Sequence, residues 1–176
     1  MGLLTVISIA AVVYAAGARR TPATTGGASG AATPPDLSTM SPKEQFERLN
    51  DRVTRAAEQG DSATAITFWP MAAGAYDILP PADRDVDARF HMAWLHYLVG
   101  EYSQTLALAD TINTTSPGNL FSYYLRAAVA AAQGDSATAR AQRNAFHTHF
   151  AAEIGKTGHP EYVDHRAMLD QFFQTP

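Results

Sequence analysis

From Ser41 onward, apolar residues recur at intervals of three and four, the spacing of one face of an α-helix. Phe46, Leu49, Val53 and Ala56–Ala57 form the first stripe. Ser41-Pro42-Lys43-Glu44 predicts where it starts: Ser41 as N-cap, Pro42 in the first turn, Glu44 completing a capping box. Gly60 is expected to end the helix, because a left-handed residue costs glycine little, and Asp61 or Ser62 to cap the next. Pro70 falls inside that second helix and is expected to kink it. A third helix is predicted from about Asp85 to Val99, with Phe90, Ala93, Trp94, Tyr97 and Leu98 on one side, and Gly100 stops it. A fourth covers Tyr102–Asn113, and Pro117-Gly118 breaks the chain. A fifth spans Leu120–Gln133, Gly134 stops it, and Asp135 or Ser136 caps a sixth that runs to about Glu153. Gly155–Pro160 reads as a loop. Glu161–Gln174 then predicts one last amphipathic helix through Tyr162, Met168, Leu169, Phe172 and Phe173, of the kind that covers the open end of a helical stack.

The N-terminus departs from this pattern. Gly2–Ala18 is a run of 17 uncharged, mostly apolar residues. As a helix it would be roughly 25 Å long, slightly short of the ~30 Å hydrocarbon core of a bilayer. Arg19 and Arg20 follow at once, placed to reach the membrane interface. Two readings compete: a retained single-span transmembrane anchor, and a cleaved signal peptide with Ala16-Gly17-Ala18 as the cleavage site. No basic residue precedes the apolar run, which favours the anchor. The expected location is therefore a bacterial inner membrane, single-pass. Two arginines after the span and none before it favour a cytoplasmic soluble domain, whereas the following linker is of a kind common in exported proteins. That linker, Thr21–Met40 (TPATTGGASGAATPPDLSTM), has no hydrophobic periodicity and reads as a flexible tether. The expected organisation is a transmembrane anchor over 1–20, a linker over 21–40, helical repeats over 41–154 and a C-terminal capping helix over 155–176.

The helices share a written phrase. Ala56–Ala65 (AAEQGDSATA) returns as Ala130–Ala139 (AAAQGDSATA), identical except for Glu58 against Ala132. A degenerate copy lies between them at Tyr97–Thr105 (YLVGEYSQT), with Gly100 in the place of Gly60 and Gly134. Self-similarity of this kind marks a repeat architecture. With Ala93, Gly100-Glu101-Tyr102 and Pro117 in the middle copy, Ala127, Gly134-Asp135 and Ala139 in the last, and Gly60-Asp61 and Ala65 in the first, the segment Ser41–Phe150 resembles the tetratricopeptide repeat family. Thr105 departs from the family's small residue after the turn, and His96 from a common aromatic. The connection after the first copy is too long and contains Pro80-Pro81. The resemblance implies an all-α fold of about three antiparallel hairpins with a concave face that receives a protein segment. It places Phe90, Trp94, Tyr97, Phe121 and Tyr124 on or near that face. Aromatic rings are favoured interface anchors, but the same spacing suits rings packed between helices, and spacing alone does not separate the two.

Composition narrows the function. The net charge is −4, and beyond Arg19 and Arg20 the chain holds 11 basic against 17 acidic residues, which disfavours nucleic acid. Without cysteine there are no thiolate metal sites or disulfides. The HExxH, GxSxG, Walker and dinucleotide-binding motifs do not occur, so neither a catalytic residue nor a cofactor is expected. Among the six histidines, His147 and His149 point about 200° apart on a helix; a metal site drawing on them with His159, Asp164 and His165 is the weaker reading, and no metal is expected. Asp83-Arg84-Asp85-Val86-Asp87 reads as an acid-rich helix start that complements the helix dipole. The function expected is a non-enzymatic, membrane-anchored scaffold. Its partners would be other protein subunits of a larger bacterial membrane complex, for example a respiratory or photosynthetic one, and the lipid bilayer through residues 2–18. The alternatives are an exported periplasmic chaperone or assembly factor and, less favoured, a histidine-based metal-dependent enzyme.

Overall fold

The computed structural model describes residues 39–175. All regular structure among them is helical, and it falls into two compact units that divide between Ile78 and Leu79.

The first unit is a hairpin of α1 (Pro42–Glu58) and α2 (Ser62–Asp77). The capping box is formed as expected: Glu44 N–H donates to Ser41 Oγ, and Ser41 N–H donates to Glu44 Oε2 at 2.8 Å. Phe46, Leu49, Val53, Ala56 and Ala57 of α1 are buried, as are Phe68, Ala72, Ala75 and Tyr76 of α2. The rings of Phe46 and Tyr76 meet at 5.3 Å, and the Arg52 guanidinium lies 4.0 Å over the ring of Phe68. The helix α2 continues through Pro70. Pro70 stands on the exposed side close to exposed Ile66, where water can replace the missing N–H partner.

The second unit opens with a 3-10 turn at Pro81–Asp83 and continues through α3 (Val86–Leu98), α4 (Tyr102–Thr115), α5 (Leu120–Ala132) and α6 (Ser136–Ile154). Each helix packs mainly on its neighbour in sequence: α3 on α4, α4 on α5, α5 on α6. This is hairpin packing compatible with a helical repeat. The core gathers Phe90, Ala93, Ala109, Ile112, Leu120, Phe121, Leu125, Phe146 and Leu169.

The repeated phrase has a definite structural meaning. In both close copies it makes a Schellman turn followed at once by an aspartate N-cap. Asp61 N–H donates to Ala56 O at 2.8 Å and Gly60 N–H to Ala57 O at 3.1 Å; Asp135 N–H to Ala130 O at 2.9 Å and Gly134 N–H to Ala131 O at 3.1 Å repeat them. Gly60 and Gly134 take φ of 74° and 77°. Asp61 Oδ1 then accepts from Thr64 N–H, and Asp135 Oδ1 from Thr138 N–H, each at 3.0 Å.

Two expectations are corrected. The fold class was expected to include a transmembrane helix, with the protein located in an inner membrane as a single-pass chain. No helix among the described residues is long and apolar enough to cross a membrane. The longest described helix, α6, has 19 residues and carries Arg140, Arg143 and Glu153 along its length, charges that are costly in hydrocarbon. Residues 2–18, Arg19, Arg20 and the linker up to residue 38 lie outside the described residues. The second correction concerns the last helix, expected over Glu161–Gln174. It is broken into α7 (Glu161–Asp164) and α8 (Arg166–Gln174) at His165, whose φ of −99° and ψ of 10° leave helical geometry. The break lets His165 turn toward α3 and α5 while Leu169 stays buried.

Candidate functional site

The five aromatic residues expected on a concave face separate into two layers. Phe90 and Phe121 are interior, 3% and 0% exposed, with rings stacked at 4.0 Å. Each fills the α3–α5 interface and presents almost no surface, the interhelical packing that spacing alone leaves open. Apolar periodicity marked them, and it marks core and groove alike. Trp94, Tyr97 and Tyr124 are half-buried. Trp94 stacks on Tyr97 at 4.8 Å and approaches Tyr124 at 5.8 Å, and Tyr97 continues to Tyr102 of α4 at 5.8 Å. Phe172 of α8 meets Tyr124 edge-on at 4.9 Å. Burial, then the neighbouring Tyr97, pushes the Tyr124 phenol up to about 12; burial and Tyr102 raise that of Tyr97.

A second constellation lies at the N-terminal end of α3. Asp85 caps that helix, its Oδ1 accepting from Ala88 N–H at 2.9 Å. Asp87 and His91 stand one turn apart on one face, the i, i+4 geometry. His165 comes to them from the α7–α8 break. Its Nε2 is 3.0 Å from Asp87 Oδ1, and His91 Nε2 is 3.5 Å from Asp87 Oδ2. The histidine rings lie 4.9 Å apart. The edges of Phe90 and Phe121 hold the His165 ring at 5.0 and 5.2 Å. Burial opposes ionisation of Asp87, but hydrogen bonds from His165 and His91, reinforced by their charge, outweigh it and hold its carboxyl well below the ordinary range. One atom from each of the three residues lies within 4.8 Å of the others. Two imidazoles and a carboxylate are a donor set for a divalent transition metal.

The other histidines do not join this group. His147 packs on Phe173 at 4.5 Å and His149 stacks on Tyr123 at 5.2 Å. His159 belongs to a polar network under the N-terminus of α5. Its Nδ1 is 2.9 Å from Glu161 Oε1 and its Nε2 is 3.8 Å from Glu153 Oε2. Both carboxylates are buried; Glu153 also pairs with Lys156, and Glu161 accepts from the Asn119 amide at 3.4 Å. The network serves helix capping: Asn119 Oδ1 accepts from Phe121 N–H at 3.0 Å, and the Tyr162 hydroxyl accepts from Leu120 N–H at 2.9 Å.

The Asp87-x-x-x-His91 pair carries a readable i, i+4 signal, which the acid-rich helix-start reading of residues 83–87 passed over. His165 is 78 residues from Asp87, and nothing local pairs them. No protein-family profile, curated protein or solved structure matches the chain.

Proposed function

We propose that this chain is a non-enzymatic protein-binding adaptor, a tetratricopeptide-like set of hairpins that receives a segment of another protein as one subunit of a larger assembly. The observation that carries the reading is the joined row of half-buried rings Trp94, Tyr97 and Tyr124, contributed by α3 and α5. In a stack of helix pairs, α3 and α5 are the first helices, and first helices line the groove. Rings held by neighbours lose little entropy on binding, and tyrosine and tryptophan combine a large apolar area with a polar donor. The buried stack of Phe90 on Phe121 behind them supports a rigid floor.

The test is site-specific photocrosslinking in the full chain. A photoreactive phenylalanine analogue at Tyr97 is expected to label one partner protein. The same analogue at Val163, which is 75% exposed on α7, is expected to label none. Trp94→Ala should abolish the Tyr97 product. Equal labelling at both positions, or labelling indifferent to Trp94, would overturn the reading.

A further inference from the structure

We propose that Asp87, His91 and His165 form a binding site for one divalent transition-metal ion of the zinc class, which clasps α8 onto α3. Three observations carry this. The first is spacing. Donors at 2.0–2.1 Å from a tetrahedral ion stand about 3.3 Å from one another, and the Asp87–His165 and Asp87–His91 separations are 3.0 and 3.5 Å. The two histidines meet different oxygens of the carboxylate, and one ligand atom from each of the three residues lies within 4.8 Å of the others, so an ion closes the site by drawing the side chains together through rotation about their own bonds.

The second is rigidity. Asp87 and His91 ride on one turn of α3, inside a helix of 13 residues. The His165 ring is held edge-on by Phe90 and Phe121, both interior. A site on fixed elements loses little freedom when it closes on an ion. The third is access together with chemistry. All three side chains are half-buried rather than sealed in the core. Two imidazole nitrogens and one carboxylate favour Zn²⁺, Co²⁺ or Ni²⁺; Ca²⁺ and Mg²⁺ prefer all-oxygen sets. Three protein ligands leave one position for water.

The site joins residues 78 positions apart. A bound ion therefore links the C-terminal helix to the start of α3, beside the aromatic row but sharing no residue with it. Partner binding and metal binding can thus fail separately.

The experiment is titration of the full metal-free chain with Zn²⁺ alone by calorimetry, and with Co²⁺ followed by visible absorption. One equivalent of Zn²⁺ should bind, Co²⁺ should give the intense d–d bands of a four-coordinate site, and Zn²⁺ should raise Tm. Loss of even an outer partner of a metal ligand weakens binding 10–100-fold, so His91→Gln and His165→Gln should each weaken it about 100-fold or more. His96→Gln, a histidine paired with Glu101 at 2.7 Å on the far end of α3, should leave it unchanged. Circular dichroism establishes that each variant is folded. No stoichiometric Zn²⁺ on the unaltered chain overturns the proposal without recourse to any variant. So does Zn²⁺ binding that survives both substitutions, or that His96→Gln removes equally.

Discussion

The hydroxyl of Tyr162 accepts a 2.9 Å hydrogen bond from the backbone N–H of Leu120, the first residue of α5. The first N–H groups of a helix have no partner within it, and Leu120 is fully buried, so water cannot serve. The same hydroxyl stands 3.5 Å from Glu153 Oε2, to which it donates. Burial pushes the Tyr162 phenol above its ordinary range, the Leu120 N–H opposes this, and the nearby Glu153 and Glu161 charges add to it. Tyr162→Phe keeps the ring and removes both bonds. The orphaned N–H predicts a loss of about 1–3 kcal/mol, read as a lower urea midpoint with unchanged slope. An unaltered midpoint would show that α5 is capped by Asn119 alone.

The rest of that network gives a second expectation. His159 donates to Glu161 and stands close to Glu153, two buried carboxylates on either side of one ring. Removing a hydrogen-bond partner from a charged group costs about 1.5–3 kcal/mol. His159→Ala should therefore destabilise the chain in that range. His147→Ala, which removes a ring packed only partly against Phe173, should cost less. Thermal melts of the two variants beside the parent decide it, and a reversed order would count against a capping role for this network.

Residue by residue, the sequence made the helices legible and the closures illegible. Ser41, Asp61, Asp85 and Asp135 cap where their local grammar places them, because capping is decided within four residues. Gly60, Gly100 and Gly134 end helices for the same local reason. The break at His165 was not legible: residues 161–174 carry continuous helical periodicity, and only contact with Asp87, Phe90 and Phe121 explains why the chain leaves it. Phe90 and Trp94, one turn apart on α3, are alike in pattern, yet one is core and the other half-exposed. The pattern reports which side is apolar and not how deeply a later helix covers it.

Thr105 shows a departure from the repeat pattern that the fold absorbs. Its buried hydroxyl donates to Ala93 O at 3.1 Å, so the larger residue after the turn is tied to the small residue of the preceding helix. Thr105→Val preserves the shape and removes the bond, predicting a loss of about 0.5–1.5 kcal/mol. Ala93→Leu forces extra methylenes into a site with 0% exposure, predicting about 1–3 kcal/mol. Chemical denaturation measures both. Two variants that unfold with the parent would mean that α3 and α4 are not in this register.

The aspartate caps predict a specific acid response. Hydrogen bonds from Thr64, and likewise from Thr138, hold the Asp61 and Asp135 carboxyls below their ordinary range in the folded chain. A depressed folded value means that the ionised form is favoured by folding. The contribution is complete above the unfolded carboxylate pKa, about 3.9, and disappears as pH falls through the lower folded value. Asparagine caps as well as aspartate but does not titrate. Asp61→Asn with Asp135→Asn should therefore match the parent at pH 7 and lose less stability between pH 4 and pH 2. Parallel urea curves at these pH values test it; parent and variant falling together would place the acid sensitivity elsewhere.

Two glycines with the same backbone sign but different surroundings allow strain and contact to be separated. Gly134 takes φ of 77° with nothing near the position of a Cβ, so Gly134→Ala should cost only the left-handed penalty, about 1–2 kcal/mol. Gly118 takes φ of 87°, and a Cβ there would meet Glu153 Oε1 at 3.2 Å and His149 Nδ1 at 3.4 Å. Glu153 is buried and paired with Lys156, so it cannot yield without disturbing the network under α5. Gly118→Ala should therefore be the more damaging substitution, and combining it with Tyr162→Phe should give less than the sum of the two losses, since both act on Glu153. Strict additivity, or equal cost at the two glycines, would detach Gly118 from that network.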